Sequence, residues 1–246
     1  MKRLVFIFAF LILCAAVQAN ARGIMTMCGA GTGAACTTPT GDELSEGFEA
    51  TGFDSSGWTE DYEGNMDADY NCSGLGSPPD GVCTYCLRSD STATLQISRW
   101  DRGSAISDGT TTNIVVPMYI ASSPTVDNWG NVGLVAWTGG NGITTSPVVQ
   151  LLLQNSGGTL KLRAYDGTAG SPCDIPSSGS LPTGEWITVT IHLNATANAS
   201  TIGYGAQSCT FTRGSNDGRY LWMGTYNIAG TEDVDVSYGY VTINTP

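Results

Sequence analysis

The chain has 246 residues, ten of them basic against 22 acidic, for a formal net charge of −12 at neutral pH. Such an excess of negative charge is repelled by phosphate backbones and anionic membrane surfaces, which argues against nucleic acid as a partner. The 32 glycines suit many short strands and tight turns, and the length suits one sizeable core.

At the start, Lys2 and Arg3 precede an apolar run from Leu4 to Leu13 and the small-x-small triplet Ala19-Asn20-Ala21. This is the pattern of a cleavable secretory signal over 1–21, with a compact basic start of bacterial type. The run is shorter than the roughly 20 residues that cross a bilayer, so no membrane insertion is expected. Cys14 follows Leu13 where a lipid-attachment signal favours a small residue, which makes a lipid anchor the weaker reading. The expected location is secreted, at the cell surface or in the periplasm. Cleavage would leave eight basic residues against 22 acids, with Lys161 as the only lysine.

Residues 22–45 are small, polar and rich in Gly and Thr, and read as an extension ahead of a sandwich domain over 46–246. A short strand is expected over 47–53, then an acidic loop over 60–71 and a Gly/Pro-rich loop to Asp80. Beyond it, apolar alternations predict strands over 84–88, 93–98, 113–121, 131–137, 148–154, 159–165, 186–194, 209–213, 219–226 and 234–243. The alternation is cleanest at Trp186 to Asn194, where Ile187, Val189, Ile191 and Leu193 face one way and Trp186, Thr188, Thr190 and His192 the other. In the segment from Arg219, Leu221 and Met223 oppose Tyr220, Trp222 and Tyr226. About a dozen strands at this spacing predict an all-β fold, a two-sheet antiparallel β-sandwich of jelly-roll type.

Seven cysteines follow the signal, and in an exported protein they read as disulfides. The expected pairs are Cys28 with Cys36, Cys173 with Cys209, and two of Cys72, Cys83 and Cys86, with Cys72 and Cys86 assigned. One cysteine is left over, available for a disulfide-linked dimer. Cys83-x-x-Cys86 has no second pair or nearby histidine to complete a zinc site.

Several landmarks in order now carry a family resemblance: Glu46-Gly47-Phe48-Glu49 leading to Gly57-Trp58, then Cys86-Leu87-Arg88, Trp186-Ile187-Thr188-Val189, and Asp233-Val234-Asp235-Val236. From roughly Glu46 to Ile243 the chain resembles the concanavalin A-like, laminin-G-like jelly rolls. The resemblance implies that fold and a family of lectin-like modules, adhesive domains, glycosidases and polysaccharide lyases, among which fold alone does not choose.

A retaining glucanase needs two carboxylates about 5 Å apart. Laminarinase-like members of the family place them as Glu-x-Asp-x-x-Glu. The nearest segment here, Asp233 to Tyr238, begins with a shorter acid and ends in Tyr, so the motif is absent. His192 is the sole histidine, and any Ser-His-Asp triad would depend on it. A lyase using Tyr and Arg leaves little sequence signature.

Sugar binding needs flat aromatic faces flanked by hydrogen-bonding groups. The candidate ligand-binding residues are Trp222, Tyr220, Trp186 and His192, with Trp58, Trp100 and Trp129 in loops or at strand ends. Calcium is the expected metal, on oxygen ligands. The resemblance suggests a structural site formed by Glu49 with Asp233 or Asp235, and the acidic loop, with Asp61, Glu63, Asn65, Asp67, Asp69 and Asn71, is the competing place. The leading reading is a non-catalytic lectin-like module for polysaccharide or cell-surface glycan. The alternatives are an adhesion or surface-structural protein with protein partners, and a glycosidase or polysaccharide lyase.

Overall fold

The structure, a computed structural model, describes residues 41–48, 53, 55–61, 67–76, 85–92, 96–166, 172–226 and 231–246. In chain order the strands begin with β1 (Leu44–Glu46), β2 (Trp58–Asp61), β3 (Asp67–Asn71), β4 (Tyr85–Thr92), β5 (Gln96–Ile106) and β6 (Thr112–Ile120). They continue with β7 (Asn131–Thr138), β8 (Pro147–Asn155), β9 (Leu160–Tyr165), β10 (Cys173–Ile175) and β11 (Trp186–Leu193). The last are β12 (Ser200–Tyr204), β13 (Gln207–Phe211), β14 (Gly218–Tyr226), β15 (Asp233–Tyr238) and β16 (Val241–Asn244).

These strands form two antiparallel sheets packed as a sandwich, the jelly-roll architecture expected from the alternation. One sheet runs β13-β12-β11-β6-β15-β4-β3, with β16 paired to both β6 and β1. The other, of seven strands, runs β10-β9-β8-β7-β14-β5-β2. The period-two pattern of β11 is realised: Ile187, Val189, Ile191 and Leu193 enter the core between the sheets. From the seven-stranded sheet, Trp100, Leu134, Trp137, Leu151, Leu153, Leu162, Leu221 and Met223 meet them. Hydroxyl groups cross this apolar layer at two places. Tyr238 Oη donates to the Leu134 carbonyl at 2.8 Å, and Ser89 Oγ lies 2.5 Å from Thr225 Oγ1. Burial pushes the Tyr238 phenol far above its usual range, so it stays a donor.

Three expectations are corrected. The opening strand ends at Glu46, and Gly47 and Phe48 are not in a strand. The fully buried Glu46 carboxylate accepts from the amides of Phe48 and Ser55 and folds the chain back there. The expected strand over 234–243 is two strands. Tyr238 pairs with Met118 but Thr242 with Val115, a slip of one residue opposite Pro117, which has no amide hydrogen to donate to the ladder. The ends of the expected acidic loop are strands β2 and β3, and 62–66 lie outside the described residues.

Cys72–Cys86 and Cys173–Cys209 are disulfides, with Cα separations of 6.0 and 5.9 Å. The second ties β10 of one sheet to β13 of the other and clips the sandwich at its edge. Cys28, Cys36 and Cys83 lie outside the described residues. No helix among the described residues is long and apolar enough to cross a membrane.

Candidate functional site

Strands β7 and β8 are buried almost throughout rather than at every second residue. Their second face is covered because the outer side of the seven-stranded sheet carries its own apolar floor, formed by Ile97, Ala136, Leu152, Tyr220, Trp222 and Tyr226 with Ile143 and Tyr165 packed on it. Polar and cationic groups are set into and around that floor.

The pairing register arranges them in rows across the sheet. The central row runs Thr59, Arg99, Trp222, Ala136, Gln150 and Tyr165. The neighbouring row on one side runs Asp101, Tyr220 and Thr138. On the other side it runs Tyr226, Gly133, Leu152, Arg163 and Asp174, and beyond that Asn131, Gln154 and Lys161. Directly opposed residues such as Gln150 and Tyr165 have Cβ atoms about 5 Å apart.

Each polar group is held. The Arg163 guanidinium donates twice to Asp174 at 2.7 and 2.8 Å, and Arg219 twice to Asp101 at 2.8 and 3.0 Å. These two-point contacts fix the planar groups edge to edge. The Arg219 hydrogen bonds hold the Asp101 carboxyl below the usual carboxylate range, and the Asp174 contact raises Arg163. The Arg99 guanidinium lies 5.4 Å from the Trp222 ring centre and 5.6 Å from that of Tyr220, and donates to Asn141. Lys161 Nζ donates to the carbonyls of Pro176 and Gly179, and Gln150 Nε2 to that of Ile143. Burial raises the Tyr165 phenol above its ordinary value, with the Asp166 charge adding to it, so Tyr165 is a protonated hydroxyl at neutral pH.

The charge distribution is uneven. Of the seven basic residues among those described, Arg99, Lys161, Arg163 and Arg219 belong to this face, where Asp101 and Asp174 pair with arginine and the Asp166 charge acts on Tyr165. The outer face of the nine-stranded sheet carries Arg88 beside Asp90, Asp233 and Asp235. A chain that is negative as a whole thus gathers four basic side chains on one face.

No family model matches the chain, and no curated protein matches it. Among solved structures it is similar to an alginate lyase of polysaccharide lyase family 7, at 14% identity over 68% of this chain and 80% of that one, with a TM-score of 0.46. It is also similar to the alginate lyase from Alteromonas sp. 272, at 8% identity over 70% and 92%, TM-score 0.48. The alginate lyase from Klebsiella pneumoniae gives 11% over 66% and 82%, TM-score 0.48.

The four residues expected to bind ligand do not form one site. Tyr220 and Trp222 share the outer face of β14, as their parity predicts. Trp186 and His192 lie on the outer face of β11, across the sandwich. Trp186 packs on Tyr119 with ring centres 5.6 Å apart, and His192 Nδ1 is 2.5 Å from Asn113 Oδ1. The expectation of an open stacking face at Trp222 is corrected: the ring is 1% exposed, with its Nε1 donating to Thr138 Oγ1 at 3.0 Å. Trp222 is floor, not platform.

Arg99, Gln150, Lys161, Arg163, Tyr165 and Arg219 were not singled out by sequence reasoning. A usable signal is present in the common parity of Lys161, Arg163 and Tyr165, and in Gln150 and Gln154 at every fourth residue of an otherwise apolar strand.

Of the calcium candidates, Glu49 lies outside the described residues. Asp233 and Asp235 stand on β15, whereas β1 pairs with β16. Among the described residues no group of three or more His, Cys, Asp or Glu is placed to hold a metal. Arg88 supplies positive charge beside them, 3.0 Å from Asp90 and 3.9 Å from Asp235.

Burial and the adjacent Asp90 push the Asp235 carboxyl up to about 6. A raised carboxyl favours the protonated folded state, so its contribution to stability is full below the ordinary value and is lost as pH rises through about 6. Asp235→Asn is therefore expected to raise the thermal midpoint at pH 8 but not at pH 4. The group is part-exposed, which limits the effect to under about 1 kcal/mol, or about 2–4 °C. Melting curves of variant and parent at the two pH values check this.

Proposed function

We propose that the outer face of the seven-stranded sheet is a groove for an acidic, uronate-containing polysaccharide, and that the protein acts on that chain as a lyase. The observation that carries this reading is the gathering of Arg99, Lys161, Arg163 and Arg219 on one face of an acidic chain, in rows that also hold Gln150 and Tyr165 side by side.

β-Elimination at a uronate removes the proton α to the carboxylate and expels the glycosidic oxygen two carbons away. The step needs donors that neutralise the carboxylate, so that negative charge developing beside it is stabilised. Arg163 carries such charge, Gln150 adds an amide donor beside it, and Arg99 extends the cationic surface along the central row. The leaving oxygen needs a proton. Tyr165, protonated at neutral pH, is suited to supply it, and the phenolate that this leaves takes up the α proton, so one proton is given, one is received and the hydroxyl is restored.

A second reading, non-catalytic retention of the same polysaccharide, rests on one observation. Among the described residues this face has no histidine, and the carboxylates of Asp101 and Asp174 are engaged by arginine.

Incubation with alginate, polygalacturonate and a neutral β-glucan, followed by ultraviolet absorbance of unsaturated uronate ends, separates the two. The lyase reading predicts product from an acidic chain only, and a rate about a hundredfold or more lower in Tyr165→Phe, the usual scale of a lost general acid. Retention without product would leave binding alone. Neither retention nor product would overturn the proposal.

A further inference from the structure

Among the described residues, one large apolar side chain stands out in solvent. Trp129 is 67% exposed, and its backbone is in the left-handed region at φ 68°, an uncommon and costly conformation for a bulky residue. Such a conformation persists only where its surroundings hold it, and here the clamp is Asn155, the last residue of β8. The Asn155 carbonyl accepts from the Trp129 amide at 2.8 Å, and its own amide donates to Gly130. Its side chain donates to the Val126 carbonyl and accepts from the Gly158 amide, each at 2.8 Å. At Gly130 a Cβ would lie 2.5 Å from Glu232 Oε1 and 2.8 Å from the Asp127 carbonyl, so the clamp closes only on glycine. The indole edge lies beside the β8–β9 turn, 3.5 Å from where a Cβ on Gly157 would be.

This fixed, solvent-facing ring is two residues from Asn131, which begins the outermost row of the face, Asn131, Gln154 and Lys161. In that row Asn131 Oδ1 and the Oε1 of Gln154, a side chain only 5% exposed, have no hydrogen-bond donor among the described residues. Buried acceptors without donors are uncommon and costly. A rigid aromatic face beside hydrogen-bonding groups in want of partners is the chemistry that takes a pyranose ring, whose C–H face stacks while its hydroxyls donate.

We infer that Trp129 is a stacking platform for one sugar ring, a subsite at the end of the groove where β7, β8 and β9 meet their turns. This rests on the polysaccharide reading above and adds where the chain lies and how far it extends. It also accounts for a backbone strain that core packing does not require.

The test is retention on immobilised alginate and polygalacturonate, with acrylamide quenching of tryptophan fluorescence in the presence of each polymer in solution. The parent is expected to lose quenching when the polymer is added, because its one strongly exposed indole is covered. Trp129→Ala is expected to bind about five- to tenfold more weakly, with an unchanged thermal midpoint. Gln154→Met removes an unpaired acceptor and is expected to weaken retention without loss of stability, whereas a purely structural Gln154 would leave retention unchanged. Retention equal to the parent in Trp129→Ala, with quenching unaffected by polymer, overturns the subsite and leaves the groove standing. No retention of either polymer by the parent overturns both.

Discussion

Gly133→Ala is expected to lower the thermal midpoint by about 3–10 °C, the consequence of overpacking costing about 1–3 kcal/mol. A Cβ at this position would lie 2.2 to 2.4 Å from three atoms of the Tyr226 ring. That ring is 3% exposed and opposes Gly133 across the β7–β14 ladder, so it has nowhere to retreat. The glycine is there to let an aromatic side chain lie flat on the strand and complete the apolar floor of the sheet's outer face. The measurement is a double-mutant cycle. In a Tyr226→Ala background, itself destabilised by the cavity, Gly133→Ala should be nearly neutral, with a coupling of about 1 kcal/mol or more. Additive losses would mean that the glycine serves some other purpose.

Arg99→Ala is expected to weaken binding of an acidic polysaccharide by about ten- to a hundredfold, the range of a hydrogen bond to a charged group. Arg88→Ala, on the opposite face, should change affinity little. Arg99 lies over the rings of both Tyr220 and Trp222, so its guanidinium is held at a fixed height on the floor and no ordering cost is added when a carboxylate arrives. Arg88 stands among Asp90 and Asp235, where the field repels an anionic chain. Both are part-exposed surface arginines, so a difference between them reads location rather than total charge.

Most of the fold was legible because its strands obey a simple period. In β11 the four apolar residues enter the core as their alternation demands, and the parity of Tyr220 and Trp222 placed both on the outer side of β14. The Cys173–Cys209 bridge was also within reach of sequence reasoning. What escaped depends on distant partners. The break between β15 and β16 is set by Pro117 on another strand, and the early end of β1 by Glu46 capping amides at Phe48 and Ser55.

The site was harder to read for a related reason. Net charge is a sum over the whole chain, and a sum of −12 conceals a face on which four of the basic side chains gather. Four basic residues separated by up to 120 positions meet there only because β5, β9 and β14 lie in one sheet. Trp222 looked like a binding ring since parity gives the side of a sheet but not what covers it. Its burial comes from Thr138 and the rest of the outer floor. Trp129, by contrast, lies in a loop where sequence supplies no parity, and its exposure is a property of the Asn155 clamp.

The most direct test of the central claim, that an acidic polysaccharide lies on the outer face of the seven-stranded sheet, is retention on immobilised alginate and polygalacturonate at increasing salt. The parent, Arg99→Ala and Arg88→Ala would be run side by side. The account predicts salt-sensitive retention of the parent and of Arg88→Ala on at least one of these polymers, and early elution of Arg99→Ala. Equal retention of Arg99→Ala and parent, or loss confined to Arg88→Ala, would contradict it.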